Sequence, residues 1–406
     1  MIPGAIARVH NVACLRIGMV LSVPYRFIIR RQRKARRYIP RACAVTAGIA
    51  LAAVGVTTAS ASAAAPQATR ATAAGTSHAS SSPGTQLWAK RYDGTGNNNA
   101  NAVAASPTGQ EVFVTGFSTG TTTGEDYATI AYNAATGAQL WVKRYLGAED
   151  GADATAVAVS PTGSTVYITG DSYSPTIGAN TYATIAYNAA TGAQLWGKTY
   201  NGPGNSTDEA YSLAVSPSGG TVFVTGRSTG SLSVYDYATV AYNAATGAQQ
   251  WAKTYNGLGN IGGEAHSVAV SPSGSTVFVT GEANSGSGDY ATVAYNAATG
   301  AQLWVKLYNG TANSTDDAHS VAVSPTGSTV YVTGYTTATT TGEDYGTVAY
   351  NAATGAQLWV KRYNGPIGRS DFAYSMAVSP TSGTVFVTGN SGNGPFYGYA
   401  TAAYQG

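Results

Sequence analysis

The chain alternates short apolar runs with turn residues, and this pattern repeats six times. In the third copy the runs are 210–217 (AYSLAVSP), 221–226 (TVFVTG), 235–243 (YDYATVAYN) and 248–255 (AQQWAKTY). Each run is rich in Val, Thr, Tyr or Trp and is bounded by Gly, Pro, Asn or Ser, which predicts β-strands joined by tight turns. Since no run has an extended helical period, we predict an all-β chain.

Tryptophan marks the period of the repeat. The six tryptophans are spaced 53, 55, 55, 53 and 55 residues apart, and they are Trp88, Trp141, Trp196, Trp251, Trp304 and Trp359. A unit of four strands and about fifty residues is typical of a β-propeller blade. Because inter-blade packing needs one large aromatic side chain per blade, we predict that these six residues dock the blades and are structural. A Lys follows each Trp by two residues, where it would discourage strand addition at an outer edge.

The order of the strands predicts how the propeller closes. The repeats begin with a fourth-type strand at 84–92 (GTQLWAKRY) and end with a third-type strand at 399–406 (YATAAYQG). We therefore predict a six-bladed β-propeller over residues 84–406, with four antiparallel strands per blade. The N-terminal strand would supply the fourth strand of the last blade.

The first 83 residues have a different composition. Residues 26–41 are strongly basic, residues 42–56 are apolar, and a run of small residues follows. This order predicts a secretory signal peptide over residues 1–63, with Met19 as an alternative start, followed by a flexible Ala/Ser/Thr linker at 64–83. An uncleaved anchor is the alternative, but the apolar run is shorter than the roughly 20 residues that a membrane span needs.

The leader also contains both cysteines, Cys14 and Cys43. After cleavage the mature protein would have no thiol and no disulfide. We expect a secreted, extracellular protein that is monomeric and, after cleavage of the leader, has no membrane span.

Charge is divided between the two parts of the chain. The formal net charge is +3, from 22 basic and 19 acidic residues. Ten of the basic residues and none of the acidic ones lie in residues 1–65, so the remainder carries 12 − 19 = −7. An acidic body disfavours nucleic acid as a partner.

Two sequence motifs resemble known families. The turn AYNAATGAQLW resembles the A-x-D-x-x-T-G-x-x-x-W docking motif of quinoprotein (PQQ-type) propellers, with Asn in place of Asp. The stretch 200–226 (YNGPGNSTDEAYSLAVSPSGGTVFVTG) is similar to the bacterial β-propeller repeat family. The resemblance implies a propeller. A quinoprotein dehydrogenase would be expected to carry more blades, a vicinal Cys pair and a calcium site, so the lack of mature cysteines disfavours PQQ as a cofactor.

Differences in length between the repeats occur in only two connections. These connect the second strand to the third, and the fourth strand to the next first strand, and in a four-stranded antiparallel blade both emerge on one face. We predict that this variable-loop face binds a ligand, the alternative being loops without a function. The predicted binding residues lie at the start of the first strands on this face, and they are Glu209, Tyr211, Glu264, His266, Asp317, His319 and Tyr374.

The predicted function is noncatalytic binding of a carbohydrate or a protein. The sequence contains no H-E-x-x-H, G-x-S-x-G, phosphate-loop or dinucleotide-binding motif, so we assign no catalytic residue. Because His266 and His319 have no evident third ligand, we also predict no metal site and no cofactor, with Ca²⁺ at the acidic loops as the alternative. The alternative function is a metal-assisted lyase or hydrolase that uses these two histidines.

Overall fold

The computed structural model of the chain describes residues 83–120, 124–147, 151–232, 234–283 and 288–406. The predicted signal peptide, the alternative start, both cysteines and nearly all of the predicted linker lie outside these ranges. Among the described residues, no helix is long and apolar enough to cross a membrane.

Within these described ranges, twenty-three strands form six antiparallel sheets, which we call blades 1 to 6. Blade 1 contains β1 (Asn98–Ala105), β2 (Glu111–Thr119), β3 (Glu125–Asn133) and β4 (Gln139–Tyr145). Blade 2 contains β5 (Ala152–Val159), β6 (Thr165–Ser174), β7 (Ala179–Asn188) and β8 (Gln194–Tyr200). Blade 3 contains β9 (Asp208–Val215), β10 (Thr221–Thr229), β11 (Tyr235–Asn243) and β12 (Gln249–Tyr255).

Blades 4 to 6 repeat this order. Blade 4 contains β13 (Gly263–Val270), β14 (Thr276–Ala283), β15 (Asp289–Asn296) and β16 (Gln302–Tyr308). Blade 5 contains β17 (Asp316–Val323), β18 (Thr329–Ala338), β19 (Gly342–Asn351) and β20 (Gln357–Tyr363), and blade 6 contains β21 (Asp371–Val378), β22 (Val385–Asn393) and β23 (Phe396–Tyr404). Within the described residues, the short 3-10 turn Leu258–Asn260 is the only helix. The predicted all-β, six-bladed propeller is confirmed, with one difference in the last blade.

Aromatic side chains pack each blade against the next. Five indole N–H groups donate to an Ala carbonyl of the following blade at 2.7 to 3.0 Å, from Trp88, Trp141, Trp196, Trp251 and Trp304. Trp359 packs on Tyr331 of its own blade and on Tyr404 of the next. Five third-strand tyrosine hydroxyls also donate to a carbonyl of the next blade, at 3.1 to 3.3 Å. The core is therefore a series of similar clusters between blades.

The turn before each fourth strand explains the resemblance to the quinoprotein motif. The Asn243 side-chain oxygen accepts from the Ala245 and Thr246 backbone N–H groups at 3.1 and 3.0 Å. An amide oxygen thus caps this turn as a carboxylate could. Gly247 has φ +68°, and a Cβ there would lie 2.7 Å from the Trp196 ring, so the motif needs glycine to seat the tryptophan.

The sixth blade differs from the prediction because it has three strands, not four. Residues 84–92 form no strand with β23 and instead remain on blade 1, where Trp88 packs on Tyr132. Among the described strands, blades 1 and 6 share no extensive contact. Tyr399 is consequently 97% exposed, whereas Tyr345, at the same position of blade 5, is fully buried.

Candidate functional site

A β-bulge in each first strand places the candidate residues. In every blade the strand pairing skips one residue of the first strand, and these residues are Asn101, Thr155, Tyr211, His266, His319 and Tyr374. A bulge re-aims the side chain of the extra residue and leaves its backbone outside the ladder. The six bulged positions therefore present variable side chains from an otherwise uniform set of strands.

Four of these side chains form a continuous row across blades 3 to 6. Tyr211 stacks on His266 with ring centroids 5.9 Å apart, and His266 stacks on His319 at 5.4 Å. His319 then meets Tyr374 edge to face at 5.4 Å. We call this set the aromatic row. All four residues were predicted as binding residues, and the structure brings them together.

The Asp317 carboxylate lies beside both imidazoles, close to their Nε2 atoms. Its Oδ1 is 3.2 Å from His266 Nε2, and its Oδ2 is 3.6 Å from His319 Nε2. The three side chains are 11 to 25% exposed, so they are sheltered but reachable from solvent. One potential ligand atom from each of the three lies within 4.8 Å of the others. Asp317, two positions before His319, is thus the third potential ligand that the sequence analysis did not identify.

The other two predicted carboxylates are joined by Arg227. Its guanidinium bonds Glu209 at 2.9 Å and Glu264 at 2.7 Å, and it also lies 4.3 Å above the ring of Tyr235. Tyr211 donates to the second oxygen of Glu209 at 2.8 Å. Burial alone would lower the pKa of Arg227, but Tyr211 and the two carboxylates raise it above its ordinary value. Glu209 and Glu264 therefore belong to a fixed ion-pair network.

Three residues at the site were missed by the sequence analysis. Arg227, Glu282 and Tyr335 each lie directly opposite a predicted carboxylate in the neighbouring strand. Burial, and next the charge of Asp317, raise the pKa of Glu282 from 4.5 to about 7, although His266 lowers it. The same two causes raise the pKa of the Tyr335 phenol. The sequence contains a pattern that could have identified these three residues. Each directly follows the glycine of a V-T-G strand, and the residue type at this position differs in all six repeats.

The variable loops of blades 5 and 6 enclose a groove of about 440 Å³. Its lining comes from both kinds of variable connection, since residues 340–342, 368–370 and 392–397 all contribute. The ring of Tyr397 in this groove lies 6.3 Å from that of Phe372, which stacks on Tyr374. The groove therefore continues the aromatic row at its blade 6 end.

Taken together, the site offers flat rings, fixed carboxylates and a His–Asp–His group. All seven predicted binding residues belong to one connected set, because each contacts another member of the set or shares Arg227 with one. Such a surface can stack on planar or ring-shaped ligand faces and can accept hydrogen bonds. The histidines and Asp317 are the groups that could hold a metal ion.

Comparison with known proteins supports the fold and identifies a family. The PQQ_2 family profile, described as outer membrane protein assembly factor BamB, matches residues 44–239 and 236–394. No curated protein sequence matches the chain.

Solved structures resemble the chain at low sequence identity. Hydrazine synthase from Kuenenia stuttgartiensis is 14% identical with a TM-score of 0.53, over 73% of this chain and 75% of that one. BamB from Moraxella catarrhalis is 16% identical with a TM-score of 0.41, over 76% and 77%. Sqt1 from Chaetomium thermophilum, bound to the N-terminus of the ribosomal protein L10, is 14% identical with a TM-score of 0.48, over 72% and 69%. At these identities the likeness concerns the fold alone.

Proposed function

Because the chain belongs to the PQQ-type repeat family described as outer membrane protein assembly factor BamB, we propose that it is a secreted, noncatalytic binding module. Its ligand, a carbohydrate or a segment of a protein, would lie on the variable-loop face. The bound ligand would follow the aromatic row and enter the groove between blades 5 and 6.

One observation carries this proposal: the aromatic row and the groove form an unbroken surface. From Tyr211 to Tyr397 the successive ring centroids are 5.4 to 6.4 Å apart. This supports an extended ligand, since the surface crosses four blades and offers a new ring at each step. Ligand sites of this kind combine apolar or aromatic walls with a few fixed polar groups that set orientation.

The polar groups of blades 3 and 4 favour binding over catalysis. Glu209 and Glu264 share Arg227, and Glu209 also accepts from Tyr211, so both oxygens of Glu209 and one oxygen of Glu264 are held by neighbours. Groups held in this way give a rigid binding surface that loses little entropy when a ligand arrives.

The proposal can be tested with the full chain on a glycan array and on an array of Lys/Arg-rich peptides. Tyr374→Ala removes one ring of the row, and Tyr397→Ala removes the exposed ring of the groove. Leu195→Ala is the matched control, because this apolar side chain is also half-exposed but lies on β8.

We expect at least one array to give ligands whose affinity falls roughly tenfold or more in both tyrosine variants and is unchanged in the control. Binding that survives both tyrosine changes would show that the ligand contacts another surface. Signals on the peptide array alone would identify a protein ligand, and no signal on either array would refute the proposal.

A metal-assisted lyase or hydrolase is the second candidate function, and the His266–Asp317–His319 group favours it. If it is correct, the chain releases products from the glycans that it binds, and the metal chelator EDTA stops their release. Binding without any product would leave the noncatalytic function as the better account.

A further inference from the structure

The His266–Asp317–His319 group has the composition of a transition-metal site. Two imidazole nitrogens and one carboxylate oxygen are a donor set that Zn²⁺ uses at sites with an open position. Ca²⁺, the alternative considered from the sequence, prefers six to eight oxygen ligands, and two nitrogen donors do not suit it.

The distances between the donor atoms agree with this. Four ligands at about 2.0–2.1 Å from a tetrahedral Zn²⁺ lie about 3.3–3.5 Å from one another. His266 Nε2 lies 3.2 Å from Asp317 Oδ1, and His319 Nε2 lies 3.6 Å from Asp317 Oδ2, so each imidazole is near a different oxygen of the carboxylate. One donor atom from each of the three residues lies within 4.8 Å of the others, so the donors would have to close up by at most about 1.5 Å to surround one ion.

The backbone holds these donors in place. His266 and His319 are the bulged residues of β13 and β17, so the same local distortion aims both side chains. Gly334 permits the second bulge, since a Cβ there would lie 1.9 Å from the carbonyl oxygen of Asp317. Bulges of this kind often lie beside functional sites.

The charges around the group also favour a cation. Glu209, Glu264, Glu282 and Asp317 are four carboxylates in this part of the face, and Arg227 pairs with Glu209 and Glu264. The charge of Asp317 acts on Glu282, so these two carboxyl groups lie near one another. A divalent ion would offset both charges.

We propose that His266, Asp317 and His319 bind one divalent transition-metal ion, with Zn²⁺ as the best fit, and that the ion joins blades 4 and 5. Solvent or a ligand would occupy the remaining position. This inference does not depend on the proposed binding function, because the ion could stabilise the blade interface alone.

The test uses the full chain with Cys14→Ser and Cys43→Ser, which removes both thiols as competing ligands. After treatment with EDTA, Zn²⁺ binding is measured by titration calorimetry, and Co²⁺ is added as a spectroscopic probe. The variants are Asp317→Asn and His319→Ala, and Asn101→Ala is the matched control at the bulge of blade 1. Far-UV circular dichroism and melting without metal establish that each variant is folded.

We expect one equivalent of Zn²⁺ to bind and to raise the melting temperature. Affinity should fall at least roughly tenfold in Asp317→Asn and His319→Ala, because losing even an outer-shell partner costs that much, and it should not change in Asn101→Ala. Co²⁺ should give the intense visible absorption of a four-coordinate site.

Two results would overturn the inference: no binding by the parent chain, or equal binding by the parent chain and both variants. If a variant does not fold, the Co²⁺ spectrum of the parent chain tests the inference instead. Weak visible absorption, typical of six-coordinate Co²⁺, would contradict the proposed ligands. Glycan or peptide binding that persists in the Asp317→Asn variant would show that the two proposals are separable.

Discussion

Glu282 illustrates how the environment of one residue couples the site to pH. Burial and the nearby Asp317 raise its pKa from 4.5 to about 7. Between these values the folded chain holds a proton that the unfolded chain has released, so the free energy of unfolding falls as the pH rises. Above pH 7 the folded chain carries the full cost of the buried charge.

We predict that Glu282→Gln removes this pH dependence in metal-free protein. The variant should gain stability over the parent chain as the pH rises from about 4.5 to 7, because a neutral amide has no charge to desolvate. Urea unfolding at pH 5 and pH 7.5 measures the difference. Glu125→Gln, at an exposed position of β3, is the control and should follow the parent chain. Parallel curves for all three proteins would contradict the assignment.

Arg227 has the opposite role, since it compensates two carboxylates. Its side chain is only 15% exposed, and Glu209 is 6% exposed. We predict that Arg227→Met lowers the free energy of unfolding by about 3–5 kcal/mol, because the buried Glu209 and the partly buried Glu264 lose their shared cation. Arg91→Met is the matched control: it breaks a pair with Asp93 in which Arg91 is 86% exposed, and it should have no measurable effect. Equal losses in urea unfolding would show that the Arg227 network contributes nothing beyond a surface ion pair.

At the residue scale the sequence analysis found one half of each strand pair. Glu209, Glu264 and Asp317 stood out because they lie at an equivalent position of each repeat. Their opposite residues, such as Arg227, were missed because only the register of the strands reveals which side chains meet across a sheet. The role of Asp317 beside the histidines was missed for a similar reason, since it depends on the packing of two separate blades.

At the level of the strand, the bulge explains why one glycine recurs in all six repeats while two neighbouring positions vary. Each V/I-T-G strand repeats its glycine because a Cβ would meet a backbone oxygen of the first strand, as at Gly334, where the distance would be 1.9 Å. The residue after this glycine and the bulged residue are free to vary. The strands themselves followed from the alternation of the sequence, whereas the bulge left no signal in hydrophobic pattern.

We predict that Gly334→Ala displaces the first strand of blade 5 and costs about 1–3 kcal/mol of stability, because the contact is with backbone that cannot turn aside. The loss should appear in urea unfolding. Gly220→Ala is the control, since its Cβ would meet only the Ser218 hydroxyl at an ordinary 3.5 Å. If both variants are equally stable, the bulge tolerates a side chain and does not require glycine.

At the scale of the whole molecule, counting strands predicted six blades correctly, but the predicted pairing of residues 84–92 with the last blade is not what the structure shows. Residues 84–92 could pair with β23, pack on blade 1, or do both. Each of these arrangements is compatible with the same sequence, so the sequence does not distinguish between them. The structure has the packing of Trp88 on blade 1 without the pairing to blade 6. This leaves Phe396 and Tyr399 of β23 75% and 97% exposed. An exposed aromatic edge strand that carries no Lys favours pairing with another strand.

We predict that the exposed edge of β23 can accept residues 84–92 as a fourth strand, because burying a large side chain such as that of Tyr399 is worth roughly 1.5–3 kcal/mol. By the register of the other blades, in which Val348 faces Val360, Ala89 would face Ala402. A chain with Cys14→Ser, Cys43→Ser, Ala89→Cys and Ala402→Cys should therefore form an intramolecular disulfide under mild oxidation. The positive control has cysteines at Val240 and Ala252, which face each other in blade 3. Nonreducing electrophoresis and mass spectrometry distinguish the outcomes. A disulfide between two chains would indicate head-to-tail assembly. Free thiols in this variant, with the control fully oxidised, would show that the last blade keeps three strands.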